Sequence, residues 1–238
     1  MDREGELLFS QFDGWAGYKQ IVFSHDNSLM AVKFSKAIWI RDDMPSFISI
    51  YDLPSGERLN IIDLGVQFDV ERIAFREDGT LIAVGSFLDD YGFTDSFAIV
   101  HYDSLTGEQL GEYPIQLTGS YADEIEVSNE GESILVHFND EPNFKLYDAF
   151  GRQLGIIPWE DMDDVAMAGG FLALNTWDEG NALKVYRVNG TMLGEIEADV
   201  SCADCRIGSF SMDFAGESLY INGHSKSFSK YSLPDLEL

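Results

Sequence analysis

One spacing constrains this chain more than any other. A Gly-x-x-Leu element follows a tyrosine by four or five residues in four places: Gly56…Leu59 after Tyr51, Gly107…Leu110 after Tyr102, Gly151…Leu154 after Tyr147, and Gly190…Leu193 after Tyr186. Tyr231 continues the tyrosine series, but no Gly-x-x-Leu comes after it. A fifth copy, Gly5…Leu8, stands near the other end of the sequence with no tyrosine before it. A closed set of repeats has this pattern when its first strand completes its last unit.

The rest of each repeat is strand and turn. Upstream of each tyrosine a turn separates two apolar runs: Ser24–Leu29, Arg76–Leu81, Ser128–Ser133, Ala168–Phe171 and Phe214–Leu219. An Asn or Gly in each supplies the positive φ that a tight hairpin needs. After each turn comes a β-rich run: Leu29–Phe34, Leu81–Phe87, Ile134–Phe138, Phe171–Thr176 and Leu219–Asn222. A third run carries the tyrosine and a fourth follows Gly-x-x-Leu. Four short strands in a repeat of about 45 residues is the period of a β-propeller blade. No stretch sustains a 3.6-residue apolar stripe, which argues against a helical solenoid. The expected fold is therefore all-β: a five-bladed β-propeller with four antiparallel strands per blade, forming a single domain over residues 1–238. The blades are predicted at 16–65, 66–116, 117–160 and 161–199, with a fifth made from 200–238 and 3–15. The N-terminal strand would close the last blade and remove an open sheet edge.

The turn Asp78-Gly79-Thr80-Leu81, the pairs Tyr51-Asp52, Tyr102-Asp103 and Tyr147-Asp148, and the Gly-x-x-Leu after each pair resemble the repeats of WD40-like propellers along essentially the whole chain. Tyr-Asp stands where that family has Trp-Asp, and the last two repeats carry Tyr186-Arg187 and Tyr231-Ser232. The one Gly-His pair, Gly223-His224, lies too near Tyr231 for the family's position, so its buried His–Asp network is not expected here. The resemblance implies a rigid platform for binding proteins.

Charge narrows the partners. Asp and Glu number 42 against 15 Lys and Arg, a formal net charge of −27. Such a surface repels phosphate backbones, so nucleic acid is excluded as a partner, and basic proteins or peptides are favoured. Lysine is still used and apolar residues make up 45%, so the composition is not that of a full halophile. No apolar run approaches the roughly 20 residues of a membrane span, and Met1–Gly5 has no basic start of a signal peptide. The expectation is a cytoplasmic, monomeric protein with no membrane partner.

The loops decide where function is sought. In a propeller, the loops between second and third strands and those between blades open on one face. All four tryptophans fall in or beside such loops: Trp15 and Trp159 between blades, Trp39 and Trp177 within them. Tyr18, Phe68, Tyr91, Phe93 and Tyr121 sort the same way. So do many acids, among them Asp42, Asp43, Asp89, Asp90, Asp95, Asp123, Glu124, Asp161, Asp163, Asp164 and Asp178. Rings beside carboxylates suit a cationic partner, and aromatic anchors inside a polar rim suit a protein-binding hot spot. The candidate ligand-binding residues are therefore Trp15, Tyr18, Trp39, Asp42, Asp43, Asp89, Asp90, Tyr91, Trp159, Asp161, Trp177 and Asp178.

No cofactor or metal site is predicted. Asp161-Met162-Asp163-Asp164 fails calcium-loop spacing, with Ala166 at the sixth position and Leu172 at the twelfth. Cys202 and Cys205 have no second pair to complete a zinc site. His25, His101, His137 and His224 lie in separate repeats, and no nucleophile elbow, phosphate loop or dinucleotide fingerprint occurs. A non-catalytic scaffold is the leading expectation. A glycosidase-like or carbohydrate-binding propeller is the alternative, with carboxylates as acid and base or tryptophans as stacking platforms.

Overall fold

The computed structural model describes residues 19–34, 46–89, 93–116, 121–158, 162–176, 182–197, 207–213, 217–223 and 228–233. These residues hold 19 strands and no helix. The first sheet is β1 (Lys19–Phe23), β2 (Leu29–Phe34), β3 (Phe47–Asp52) and β4 (Arg58–Asp63). The second is β5 (Phe68–Phe75), β6 (Thr80–Leu88), β7 (Thr94–Asp103) and β8 (Gln109–Ile115). The third is β9 (Ala122–Val127), β10 (Ser133–Phe138), β11 (Asn143–Asp148) and β12 (Gln153–Pro158). The fourth is β13 (Met162–Ala168), β14 (Phe171–Thr176), β15 (Ala182–Arg187) and β16 (Met192–Glu197). The fifth has β17 (Ile207–Met212), β18 (Ser218–Gly223) and β19 (Phe228–Ser232). Every sheet is an antiparallel meander of consecutive strands. The repeats read from sequence thus coincide with the sheets. The last sheet has three described strands, and the segment expected to complete it, Gly5–Phe12, lies outside the described residues.

The chain divides into two compact units, Met1–Gln116 and Leu117–Leu238. The division falls at an expected blade boundary. In the first unit, Ala31, Ile48, Ile50 and Ile62 of the first sheet pack on Phe68, Ile73, Phe75, Leu81 and Tyr102 of the second. In the second unit, Leu135, Phe144, Leu146 and Ile157 meet Met167, Leu172, Leu174 and Tyr186. On the fourth sheet's other face, Leu183 and Val185 meet Leu219, Ile221 and the partly buried Tyr231. Tyr102, Tyr186 and Tyr231 each belong to the core that their sheet shares with the preceding one. Tyr51, Tyr102, Tyr147 and Tyr186 are all buried, so the recurrent ring is a packing element.

The Gly and Asp of the repeat are explained by its turn. Gly56, Gly107, Gly151 and Gly190 all have positive φ, from 72° to 85°, a conformation that costs a Cβ-bearing residue more than glycine. The aspartate after the tyrosine caps the same turn. Asp103 accepts from the amides of Leu105 and Thr106, Asp148 from those of Phe150 and Arg152, and Asp52 from Ser55. Where Arg187 replaces the aspartate, Asn189 takes over by accepting from the Thr191 amide. The Tyr-Asp pair therefore serves the fold.

Polar residues face each other between the first and second strands of every sheet. The facing pairs are Gln20–Lys33, Asp69–Ser86, Glu124–His137, Asp164–Asn175 and Ser209–Asn222. Lys33, Ser86, His137 and Asn175 are buried. In the first unit they clamp two sheets together. Lys33 donates to the carbonyls of Val70 (2.7 Å) and Glu71 (2.6 Å), the backbone oxygens at a bulge in β5. Gln20 accepts from the Ile73 amide and donates to its carbonyl, which satisfies part of the edge of β5. Burial pushes the Lys33 amine down to about 8.

Candidate functional site

The expected binding face lies at the end of the sheets where second strands pass to third strands. At this end of the first two sheets, paired phenylalanines close the core. Phe34 stacks on its cross-strand partner Phe47 with centroids 4.7 Å apart, and Phe68 stacks on Phe87 at 4.5 Å. Phe68 therefore corrects the expectation that placed it with the loop aromatics. It is the first residue of β5 and 3% exposed, and it packs into the core beneath the loops.

Above that floor stands the hairpin of β6 and β7, with nine and ten residues. The corresponding strands in the other four sheets have five or six residues. Asp89 and Phe93, which bound its loop, are tied to each other twice. The Asp89 amide donates to the Phe93 carbonyl at 2.8 Å, and the Phe93 amide donates to Asp89 Oδ1 at 2.9 Å. Phe93 is 72% exposed on this closed loop. Ordering such a ring costs free energy in water, and pre-fixing its backbone lowers the entropy lost on docking. Asp89 and Asp95 are exposed beside it.

In the second unit the matching end carries Tyr121, 51% exposed. Its backbone is fixed on Asn139, whose side-chain oxygen accepts from the Tyr121 amide and whose own amide donates to the Tyr121 carbonyl. The adjoining turn places Asp140 at φ 67° and Glu141 in an ion pair with Lys145 at 3.6 Å. His137 Nε2 bonds the Glu141 carbonyl at 2.9 Å, a structural use of that ring. Asp123–Glu124 and Asp163–Asp164, expected in loops, are the second and third residues of β9 and β13.

Of the twelve candidate residues, Asp89 is the one within the described part of the structure, where it closes the Phe93 loop. Trp15, Tyr18, Trp39, Asp42, Asp43, Asp90, Tyr91, Trp159, Asp161, Trp177 and Asp178 lie outside the described residues, as do Cys202 and Cys205. Phe93 and Tyr121 are the exposed rings that sequence sorting assigned to this face without carrying them into the candidate set. Among the described residues, no group of three or more His, Cys, Asp or Glu is placed to hold a metal, and no helix is long and apolar enough to cross a membrane.

No protein-family model matches the chain, and no curated protein matches it in sequence. Solved structures do resemble it. Hydrazine synthase from Kuenenia stuttgartiensis matches at TM-score 0.56 and 15% identity, over 90% of this chain and 71% of that one. A eukaryotic initiation factor gives 0.49 and 12%, over 96% of this chain and 55% of that one. A chain of the mitotic checkpoint complex gives 0.47 and 14%, over 90% and 77%. The likeness to the first is one of fold, and that fold is of the propeller type.

Proposed function

We propose that this chain is a non-catalytic, five-bladed propeller that binds a basic protein or peptide on its acidic, aromatic loop face. Phe93 carries the reading: a ring 72% exposed, held on a loop closed by two hydrogen bonds, at the tip of an extended hairpin and beside exposed Asp89. Exposed aromatics on rigid loops are the usual anchors of protein interfaces, and surrounding carboxylates steer cationic partners to them. Trp39 and Trp177 are assigned to the same face by their place in the repeat. Closure of the fifth blade by Gly5–Phe12 belongs to this proposal, supported by the orphan Gly5…Leu8 and the three described strands of the last sheet.

The test is capture of partners on the immobilised chain, followed by surface binding kinetics. Phe93→Ala and Trp39→Ala should speed dissociation, and Asp89→Lys should slow association with a loss that shrinks as salt rises. A captured partner indifferent to all three changes would remove this face from the proposal. Deleting residues 1–12 tests blade closure separately: a monomer with unchanged melting would refute it.

A further inference from the structure

The turn end of the first two sheets holds a concave surface. It lies at the opposite end of β6 from Phe93, roughly 30 Å away at about 3.3 Å per residue. The cleft has a volume of about 360 Å³ and is walled by the β1–β2, β5–β6 and β7–β8 turns.

Its lining has three components. The first is carboxylate: Asp26, Glu77, Asp78 and Asp103. Hydrogen bonds from the Ser24 hydroxyl and from Ser28 pull Asp26 down to about 2. Burial pushes Asp78 up, but bonds from Thr80 and the charge of Arg76 outweigh it and hold the group below its usual range. The Thr106 amide and hydroxyl likewise hold Asp103 low. The second component is apolar: Leu105 and Leu110 are 61% and 55% exposed where they border the cleft. The third is Ser104, 5% exposed, which lines the cleft and whose hydroxyl has no hydrogen-bond partner among the described residues. The hydroxyl itself is not sealed off from the cleft, so a ligand group or water there can complete its bonding.

The wall already shows which head group these carboxylates accept. Arg76 of the chain itself pairs with Asp78 at 3.0 Å. Four carboxylates against that one guanidinium leave the cleft negative, so an anion is disfavoured there. We propose that the cleft binds an alkylguanidinium, the head and stem of an arginine. Its head sits against Glu77, Asp103 and the Ser104 hydroxyl, and its stem lies over Leu105 and Leu110. Guanidinium is suited to several acceptors in fixed directions, and its stem covers apolar surface while the head stays polar. The source is either an arginine side chain of a peptide or a free small guanidine.

The test is a nitrogen–proton NMR titration of the full chain with four probes: acetyl-Gly-Arg-Gly-amide, butylguanidinium, acetyl-Gly-Glu-Gly-amide and inorganic phosphate. The expected result is saturable shifts confined to residues 24–29, 76–80 and 103–110 with a guanidinium probe. Glu77→Gln and Ser104→Ala should each weaken binding about fivefold while leaving the rest of the spectrum in place. Glu77 makes no turn-closing bond among the described residues, so its variant should fold even if Ser104→Ala does not. Binding by the peptide alone identifies a side chain as the source, and binding by butylguanidinium alone identifies a free guanidine. Shifts spread over the acidic surface without saturation would overturn the proposal. So would equal binding of the glutamate peptide or phosphate, or no binding by either guanidinium probe. Because no loop-face residue is involved, failure here leaves the binding of proteins by the loop face untouched.

Discussion

The facing polar residues are used differently in the two units. Lys33 of β2 and His137 of β10 occupy the same register: each faces a polar residue on the first strand and a large apolar residue, Ile48 or Phe144, on the third. Lys33 reaches across to the next sheet and feeds two carbonyls at the β5 bulge. His137 turns to the carbonyl of Glu141 in its own loop. One strand position therefore acts as a clamp between sheets in one unit and a loop tie in the other, according to the reach of the side chain. A buried polar residue in a strand is not evidence of a ligand site until its partner is known.

The largest way to break this contrast is to fill the space behind the bulge. Gly85 lies opposite Val70 in the ladder, and a Cβ there would run into the backbone of Asp69 and Val70. Gly85→Ala should cost about 3 kcal/mol, the upper range for overpacking, because backbone rather than a movable side chain must yield. Chemical denaturation measures it, and a loss near zero would mean that the bulge adapts freely.

Lys33→Met comes next. Two carbonyls lose their donor, at about 1–3 kcal/mol each, and release of a buried charge offsets part of this, for a net loss of about 2 kcal/mol. The pH dependence sharpens the same point. The folded lysine titrates near 8 and the unfolded one at 10.5, so the unfolded chain binds more protons between those values. Stability should therefore rise with pH from about 8 towards 10, and this slope should vanish in Lys33→Met. Above pH 10 the sign reverses, because Tyr102 and Tyr147, raised by burial to about 12, stay protonated in the folded chain while the unfolded tyrosines ionise. A flat profile between 8 and 10 in the parent protein would show that Lys33 is not titrating as a buried amine.

The smallest effect is expected at the loop tie. His137→Phe removes the bond to Glu141 and should cost about 1 kcal/mol, with faster hydrogen exchange confined to residues 138–143. Exchange that spreads into β13 and β14 would mean that His137 also joins sheets, and the contrast with Lys33 would fall.

Strand content and turn positions were legible because their causes are local. Leu29–Phe34 and Phe171–Thr176 are strands with those limits, and Asn27, Gly79 and Gly131 take the positive φ that hairpins require. Burial of the repeat tyrosines was legible from recurrence. The clamp was not. In Leu29-Met30-Ala31-Val32-Lys33-Phe34 a lone lysine near a strand end reads as an outward residue, and its burial depends on a bulge about 40 residues later in the chain. Phe68 was misplaced for a related reason. It adjoins a loop in sequence, yet its ring points into a stack with Phe87 across the strand pair.

The meander topology has a consequence for how the chain comes to be folded. Each described sheet pairs consecutive strands only, and each third hairpin carries its own glycine and capping side chain within a few residues. Closing short loops costs little chain entropy, so sheets can form one after another as synthesis proceeds from the N-terminus. A ribosome-stalled chain ending after the second sheet should already protect β1–β8 from proteolysis. The buried lysine in β2 would meet its acceptors once β5 has left the exit tunnel, which makes the β2–β5 clasp an early checkpoint of biogenesis.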